Sequence, residues 1–225
     1  ASQGLVNADV SGGGLRGGAR KGAVRMGVQK RTLSHFNMPD GARMRVVAMG
    51  EEPWRVHRAG APSLDDLRRS RLLDVPELEE RLQVSLERPT VVVAYHPVTI
   101  VRDTTQEADS LFAALEKVDA QLLFCYPNSD AGSHALMQRT RAFLATRSDA
   151  RLYVNLDAVT YWSLLRQAAL LIGNSSSGIM EAASFALPGV NVGFRQRGRE
   201  RARQSLDAEP GTSAAVEPPC APPSP

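Results

Sequence analysis

The clearest chemistry in the sequence lies in a small, hydroxyl-rich segment, the serine loop, Gly173–Gly178, which reads GNSSSG. It follows the apolar run 170–172 and leads into a predicted helix over 178–186. A helix N-terminus has unpaired backbone N–H groups and partial positive charge, so it favours an anion. Small residues let a phosphate approach those groups, and the serine hydroxyls add donors. Serine is also a preferred N-cap, and taken alone the loop fits capping better than phosphate binding.

Four further side chains follow predicted strands or lie close to the serine loop. His96 could donate to a phosphate or protonate a departing one. Arg195 could hold phosphate oxygens through its planar guanidinium. Glu181, one turn into the predicted helix, could accept hydrogen bonds from ribose hydroxyls, as an acidic residue does in dinucleotide-binding folds. Asn128 follows the strand 122–126 and could contact the same ligand.

Each of these four residues also has a purely structural explanation. His96 could be an ordinary loop histidine. Asn128, followed by Ser129–Asp130, could form a turn through side-chain hydrogen bonds. Glu181 could be a first-turn acid that faces the helix dipole, and Arg195 could belong to a solvated basic run. A ligand site is favoured because the candidates fall at the same edge of one predicted sheet.

Strands and helices alternate along the middle of the chain. The β-branched run Thr90–Tyr95 is typical of a buried parallel strand. Such alternation predicts an α/β fold, a three-layer Rossmann-like parallel sheet with helices on both faces. Ligands of these sheets bind at the carboxyl ends of the strands, near a switch in strand order. Further strands are predicted at 121–126, 151–155, 169–172 and 189–193, and helices at 63–71, 76–82, 106–118, 133–146, 161–168 and 178–186.

The two ends differ in composition from the middle and set the predicted domain boundaries. Residues 1–33 are rich in Gly, Ser, Arg and Lys without a sustained period, and residues 204–225 are Pro-rich. We expect both segments to be disordered. Residues 34–203 then form one domain, and the 225-residue chain, 43% hydrophobic and 23% charged, has enough apolar residues for its core.

Charge, cysteine content and hydropathy narrow the class of protein. The net charge of +3 arises mainly before residue 34, so no basic face for nucleic acid is indicated. The two cysteines, Cys125 and Cys220, make no disulfide framework and favour a reducing, cytoplasmic compartment. No apolar stretch has transmembrane length and no secretory signal is evident, so no membrane partner is expected. We also expect neither a metal nor a cofactor.

Six segments together resemble the hydrolysing UDP-N-acetylglucosamine 2-epimerases, a family that releases N-acetylmannosamine for sialic-acid-type sugars. They occur in the family's order, and the resemblance covers about Ser34 to Arg203. The triple serine and the run RQRGR at 195–199 favour the hydrolysing branch, because the other branch has a serine followed by paired glycines. Each segment is weak alone, but the combination is specific. The segments are Arg45–Pro53, Gly60–Asp65, Tyr95–Thr99, Tyr126–Ser133, Gly173–Glu181 and Asn191–Arg199.

The resemblance implies a GT-B arrangement, in which two Rossmann-like domains face each other across a cleft. We expect this chain to be the second half only, with the proton-transferring acids in the other domain. The resemblance also allows a homo-oligomer of the full-length protein. Six residues would contact a UDP-sugar: Ser175, Ser176 and Arg195 at the diphosphate, Glu181 at the ribose, His96 as the catalytic group near the departing oxygen, and Asn128 in the same pocket.

The function implied is hydrolysing epimerisation. UDP leaves UDP-N-acetylglucosamine to give a glycal-like intermediate, and water then adds to yield N-acetylmannosamine. Three alternatives stay open: a UDP-binding module without turnover, a glycosyltransferase-like domain of GT-B architecture, and a poorly folding gene product. A UDP-linked diacetamido sugar is an alternative substrate.

Overall fold

The computed structural model describes residues 8–10, 34–37, 40–96, 105–126, 133–197, 199 and 203–208. Within these ranges the chain forms nine β-strands and seven α-helices. The strands are β1 (Ala8–Val10), β2 (Ser34–Asn37), β3 (Val56–Arg58), β4 (Thr90–Ala94), β5 (Gln121–Tyr126), β6 (Ala150–Val154), β7 (Leu170–Gly173), β8 (Gly189–Val192) and β9 (Ser205–Ala208). The helices are α1 (Asp40–Ala48), α2 (Pro62–Arg69), α3 (Val75–Leu82), α4 (Thr105–Leu115), α5 (Ser133–Thr146), α6 (Ala158–Gln167) and α7 (Glu181–Ser184).

Six parallel strands form the main sheet, in the spatial order β6-β5-β4-β7-β8-β9. The chain builds the sheet outward from β4 to β6, returns to place β7 on the other side of β4, and continues outward to β9. The strand order therefore switches between β4 and β7, where Val91 lies opposite Leu170 and Ala94 opposite Gly173. At such a switch the connections diverge and leave a crevice at the carboxyl ends of the strands.

Helices cover both faces of the main sheet, which confirms the predicted three-layer architecture. Val91 and Val93 of β4 pack in one hydrophobic cluster with side chains of α4 and α5. Val92 and Ala94 point to the opposite face and pack with α3, α6 and α7. All residues of β4 are buried, because helices cover both faces of the strand. This burial explains why the strand contains no charged residue.

Side-chain caps fix the starts of α3 and α6. Asp74 accepts the Glu77 N–H, and the Glu77 carboxylate accepts the Asp74 N–H, both at 3.0 Å. Asp157 accepts the Thr160 N–H at 3.0 Å and caps α6. Caps of this kind typically stabilise a helix by about 1 kcal/mol. The second cap also fixes the position of Tyr161, at the end of the first turn of α6.

A second, three-stranded parallel sheet in the order β1-β2-β3 comes from the amino-terminal part of the chain. Phe36 of β2 and His57 of β3 stack with ring centroids 5.2 Å apart. β1 lies within the predicted disordered leader, so the structure differs from the prediction at those three residues. A three-residue strand is too short to show periodicity, and its partners in the sheet are distant in sequence.

The last strand of the main sheet falls in the predicted disordered tail. β9 pairs in parallel with β8, and Asn191 Nδ2 of β8 donates to Asp207 Oδ1 of β9 at 2.7 Å. An edge strand of four residues, two of them polar, depends on its partner rather than on its own composition, so the sequence pattern did not indicate it. The other residues of the predicted leader and tail lie outside the described ranges.

The predicted helix over 178–186 is the element that differs most from the structure. A 3-10 turn, Ser176–Gly178, comes first and is followed by the four-residue helix α7. Glu181 is therefore the first residue of α7 and does not lie one turn into a helix. Because so short a helix has few aligned peptide dipoles, local N–H and hydroxyl groups must dominate any anion binding here.

The described helices are short, and the longest, α5, has 14 residues. None of the helices in the described ranges combines the length and the apolar character that crossing a membrane requires. In the same ranges, no three or more His, Cys, Asp or Glu side chains are grouped as metal ligands.

Candidate functional site

Gly173 brings β7 and β4 into close contact at the switch point. It has a φ of +145°, and a Cβ atom at this position would collide with the carbonyl oxygen of Ala94. The close approach lets the Asn174 and Ser175 N–H groups donate to the Ala94 carbonyl, at 3.2 and 3.1 Å. Glycine is therefore required for the serine loop to be fastened to the end of β4.

Asn174 joins His96 to the serine loop through a pair of hydrogen bonds. The His96 N–H donates to Asn174 Oδ1 at 2.7 Å, and Asn174 Nδ2 donates to the His96 carbonyl at 2.8 Å. The Asn174 carbonyl accepts from Arg195 Nη1 at 2.8 Å and from Gln196 Nε2 at 2.6 Å. Asn174 is fully buried, so losing these bonds would leave polar groups unpaired away from water. The segments that follow β4, β7 and β8 thus meet at one residue.

A cavity of about 410 Å³ opens beside the serine loop, at the carboxyl ends of the central strands. Its size is in the range of small-molecule sites. Four of the six predicted site residues line it, namely His96, Ser175, Ser176 and Glu181. The rest of its wall consists of Ala94, Cys125, Tyr126, Asn155, Leu156, Ala158, Tyr161, Trp162 and Ser177.

Glu181 is a largely buried residue in the wall of this cavity. The residue is only 8% exposed. Within the described part of the chain, no N–H or O–H group donates to its carboxylate. A carboxylate without a donor from the protein can accept hydrogen bonds from a molecule in the cavity. The site therefore suits a ligand that carries hydroxyl or amine donors.

Ser176 supplies donors that the fold itself leaves unused. The other N–H groups of the serine loop donate within the protein, for example Gly178 to the Ser175 carbonyl. Neither the N–H nor the hydroxyl of Ser176 has a hydrogen-bond partner among the residues that the structure describes. Because Ser176 lines the cavity, both groups are available to an anionic ligand.

Three hydroxyl-bearing residues of the cavity wall form a row of hydrogen bonds. Tyr161 Oη lies 2.7 Å from Ser177 Oγ, and the Ser177 hydroxyl donates to Ser175 Oγ at 3.0 Å. Ser175 Oγ also accepts the Ser177 N–H at 3.4 Å, so Ser175 does cap the 3-10 turn. Capping and anion binding are compatible, because the first uses lone pairs of Ser175 Oγ and the second uses its proton.

The two remaining predicted site residues are placed differently. Arg195 donates to the Asn174 carbonyl at the base of the serine loop and is not among the described residues that line the cavity. Asn128 lies outside the described residues. The structure thus brings four of the predicted residues together in the cavity wall. Arg195 binds the carbonyl of Asn174, the residue that directly precedes Ser175.

Burial raises the pKa of three ionisable residues of the cavity wall, Cys125, Tyr126 and Tyr161. It raises the pKa of the Cys125 thiol to about 12, so this cysteine is no thiolate nucleophile at neutral pH. The pKa of Tyr161 is also raised, mainly by burial and further by repulsion from Cys125, once that thiol ionises at high pH, and from the Glu181 carboxylate, although the bond to Ser177 opposes the shift. Burial likewise raises the pKa of Tyr126.

Sequence reasoning missed two residues that organise this site. Asn174 stands directly after β7, the same kind of position that drew attention to His96, so a signal was available. Tyr161 belongs to a helix, and its hydroxyl contact with Ser177, 16 residues away, is tertiary. Nothing in the local pattern of α6 indicates that contact.

A parallel sheet with helices on both faces defines an α/β domain, and the cavity lies at the strand-order switch, where ligands of such domains bind. The family described as UDP-N-acetylglucosamine 2-epimerase matches residues 10–217, and the chain belongs to this family. The match confirms the resemblance that the sequence motifs indicated. It also extends beyond the predicted limits of 34 and 203 at both ends and includes β9.

Two curated proteins that resemble the chain are named as hydrolysing 2-epimerases. The GDP/UDP-N,N'-diacetylbacillosamine 2-epimerase (hydrolyzing) of Campylobacter jejuni is 32% identical over 201 residues, which cover 88% of this chain and 52% of that protein. The UDP-N,N'-diacetylbacillosamine 2-epimerase (hydrolyzing) of Legionella pneumophila is 30% identical over 200 residues, covering 87% of this chain and 53% of that protein. The chain spans about half the length of the curated relatives it matches.

A solved structure with the same fold is the UDP-GlcNAc 2-epimerase from Neisseria meningitidis bound to UDP-GlcNAc. The TM-score is 0.68 at 13% identity, and the alignment covers 87% of this chain and 55% of that one. At this identity the likeness shows the fold. It confirms the predicted α/β architecture, one half of a GT-B arrangement.

Proposed function

We propose that the cavity binds the UDP moiety of a UDP-linked amino sugar and that the whole protein is a hydrolysing UDP-N-acetylglucosamine 2-epimerase. The carboxylate of Glu181, a cavity residue to which no described group donates, carries this proposal. It lines the same cavity as Ser176, whose N–H and hydroxyl are unused. A ribose offers hydroxyl donors and a diphosphate offers only acceptors, so UDP complements both groups.

The reaction that we propose begins with departure of UDP from UDP-N-acetylglucosamine and ends with addition of water to give N-acetylmannosamine. Charge builds up on the diphosphate as it leaves, and fixed donors around it lower the barrier. Ser175 and Ser176 would supply these donors, and Arg195 would add positive charge beside the loop. His96 would act at the departing oxygen, since Asn174 holds its backbone at the cavity. Asn128 would join them.

A UDP-linked diacetamido sugar is the second candidate substrate. It is favoured by the names of the Campylobacter jejuni and Legionella pneumophila relatives, both diacetylbacillosamine 2-epimerases. Competition between the two UDP-sugars for the cavity distinguishes the candidates, because the preferred sugar displaces bound UDP at the lower concentration.

The proposal also includes a cytoplasmic location, use of the product in sialic-acid-type sugars, and homo-oligomers of the full-length protein. For the present chain we propose UDP binding without turnover, because the resemblance places proton transfer in another domain. Incubation with UDP-N-acetylglucosamine tests this point. Release of UDP at the rate of a full-length family enzyme would contradict it.

The test of the nucleotide site is the affinity for UDP of the parent chain and of Glu181→Gln. The substitution keeps the size of the side chain but removes the charge that accepts the ribose hydroxyls. We expect the Kd for UDP, measured by calorimetry, to rise roughly 10- to 100-fold, as for loss of charged hydrogen bonds. With 2′,3′-dideoxy-UDP the parent and the variant should bind equally.

Glu116→Gln is the matched control, because Glu116 is exposed, directly follows α4 and lies away from the cavity. It should leave the Kd for UDP unchanged. If the parent chain does not bind UDP, the nucleotide assignment is wrong. If UDP binds equally to the parent and to Glu181→Gln, the ribose assignment alone is wrong.

A further inference from the structure

The row of hydroxyls from Tyr161 through Ser177 to Ser175 has a defined proton direction. Each hydroxyl has one proton, and Ser177 donates its proton to Ser175 Oγ at 3.0 Å. The 2.7 Å contact between Tyr161 Oη and Ser177 Oγ must then use the Tyr161 proton. Ser177 is therefore an acceptor from Tyr161 and a donor to Ser175.

The same reasoning fixes the role of Ser175 at the end of the row. Its Oγ accepts both the hydroxyl and the N–H of Ser177, which occupies its two lone pairs. The only hydrogen-bonding capacity left to Ser175 is donation of its own proton, and the residue lines the cavity. Its natural partner is an atom that accepts and cannot donate, such as a phosphoryl oxygen.

We propose that Tyr161 is a positioning residue that orients Ser177 and Ser175 so that the Ser175 hydroxyl donates to the diphosphate of the bound nucleotide. The inference rests on the proposed function. Successive donation along a chain polarises each hydroxyl, which strengthens the terminal bond to an anion. Without the Tyr161 proton, Ser177 can reverse its direction, and Ser175 no longer has a fixed proton to offer.

The surroundings of Tyr161 keep its hydroxyl in the donor form. Burial raises the pKa of Tyr161, and the Glu181 charge acts in the same direction. The phenol therefore stays protonated through the neutral range. A serine or threonine at the same position of α6 would be too short to reach Ser177, so the aromatic ring sets the reach of the donor.

The experiment compares UDP with uridine, which shares the base and the ribose but lacks the phosphates. Tyr161→Phe keeps the ring in the cavity wall and removes only the donor. We expect the Kd for UDP to rise roughly five- to tenfold and the Kd for uridine, from ligand-observed NMR titration, to change by less than about twofold. A loss of packing alone would weaken both ligands equally.

Tyr153→Phe is the matched control. This substitution also removes a hydrogen bond, from the Tyr153 hydroxyl to the Leu82 carbonyl at 2.8 Å, but Tyr153 does not line the cavity. It should change neither affinity. Circular dichroism melting of each variant establishes that it is folded before its affinities are compared.

Ser177→Ala breaks the row one step later and tests the inference independently, even if Tyr161→Phe does not fold. Like Tyr161→Phe, it should raise the Kd for UDP roughly five- to tenfold and change the Kd for uridine by less than about twofold. In the Ser177→Ala background, adding Tyr161→Phe should change the Kd for UDP by less than about twofold, because the two residues act through one chain.

The outcomes separate this inference from the proposed function. If the parent chain fails to bind UDP, both are wrong. If the parent binds UDP and both variants retain the ratio of UDP to uridine affinity, the row has no role at the diphosphate and only this inference is overturned. Independent, multiplicative losses in the double variant would overturn it as well.

Discussion

Ser176 carries two donors that make no hydrogen bond to any described residue, and it lines the cavity. In the Ser176→Ala variant the N–H remains and the hydroxyl is lost. We expect the Kd for UDP to rise roughly three- to tenfold, the effect of one hydrogen bond of about 1 kcal/mol. Calorimetric titration of both chains with UDP measures the change.

Ser184→Ala is the control for this variant, because Ser184 is an exposed serine at the end of α7. It removes a hydroxyl of the same kind a few residues away and should leave the Kd unchanged. Equal losses in the two variants would show that the effect of Ser176→Ala is general to this segment and does not come from a bond to the ligand.

At the scale of single residues, position relative to the strands was the signal that could be used. His96, Ser175 and Ser176 were predicted because they follow strands, and the structure brings them to one cavity with Glu181. Their hydrogen-bond partners could not be predicted. The Asn174 amide pairs with the backbone of a residue 78 positions away, and only the sheet brings the two together.

Gly173, at the junction of β7 with the serine loop, allows β7 to pack closely against β4. In Gly173→Ala the new Cβ would collide with the Ala94 carbonyl, and the backbone would have to leave its φ of +145°. Both effects separate β7 from β4. We expect the free energy of unfolding, from urea denaturation, to fall by about 3 kcal/mol or more.

Gly60→Ala separates the steric effect from the effect of φ. Gly60 also has a positive φ, +78°, but no atom lies within 4 Å of the position of a Cβ. The cost should be about 1 kcal/mol, from backbone strain alone. Similar costs for the two variants would mean that contact with β4 contributes nothing.

At the scale of elements, a long helix and a buried, largely apolar strand were predictable, and short elements of mixed polarity were not. α5 has the predicted bounds, and β4 differs from its prediction only by omitting Tyr95. β9 was missed because only two of its four side chains are apolar and its stability comes from pairing with β8. The helix over 178–186 was predicted too long, since a local pattern does not show that a 3-10 turn precedes α7.

Across the whole molecule, different groups lie at the carboxyl ends and at the amino ends of the main-sheet strands. The cavity lies at the carboxyl ends of the strands, whereas an ionic network joins the segments at their amino ends. Arg147 donates to the carbonyls of Leu115, Val118 and Ala120, at 2.7, 2.8 and 2.9 Å, and so ties the end of α4 to the start of β5. We therefore expect substitutions in the network to change stability and leave the affinity for UDP unchanged.

Asp149 holds Arg147 in that network through two bonds, at 2.8 and 3.1 Å. The Arg147 hydrogen bond lowers the pKa of Asp149 below its ordinary value. The resulting stabilisation is therefore present above about pH 4, the ordinary value for Asp, and is lost as the pH falls through the lowered folded value.

At pH 7, Asp149→Asn should lower the free energy of unfolding by about 1 kcal/mol, a modest figure because solvent screens the partly exposed pair. The difference from the parent should shrink steadily below about pH 4, as urea denaturation across the pH range would show.

Asp119→Asn, which removes a fully exposed partner of Arg88, should have no measurable effect at any pH. Because the network is remote from the cavity, both variants should keep the parent's Kd for UDP at pH 7. A higher Kd for UDP in folded Asp149→Asn would show that the amino and carboxyl ends of the strands are coupled.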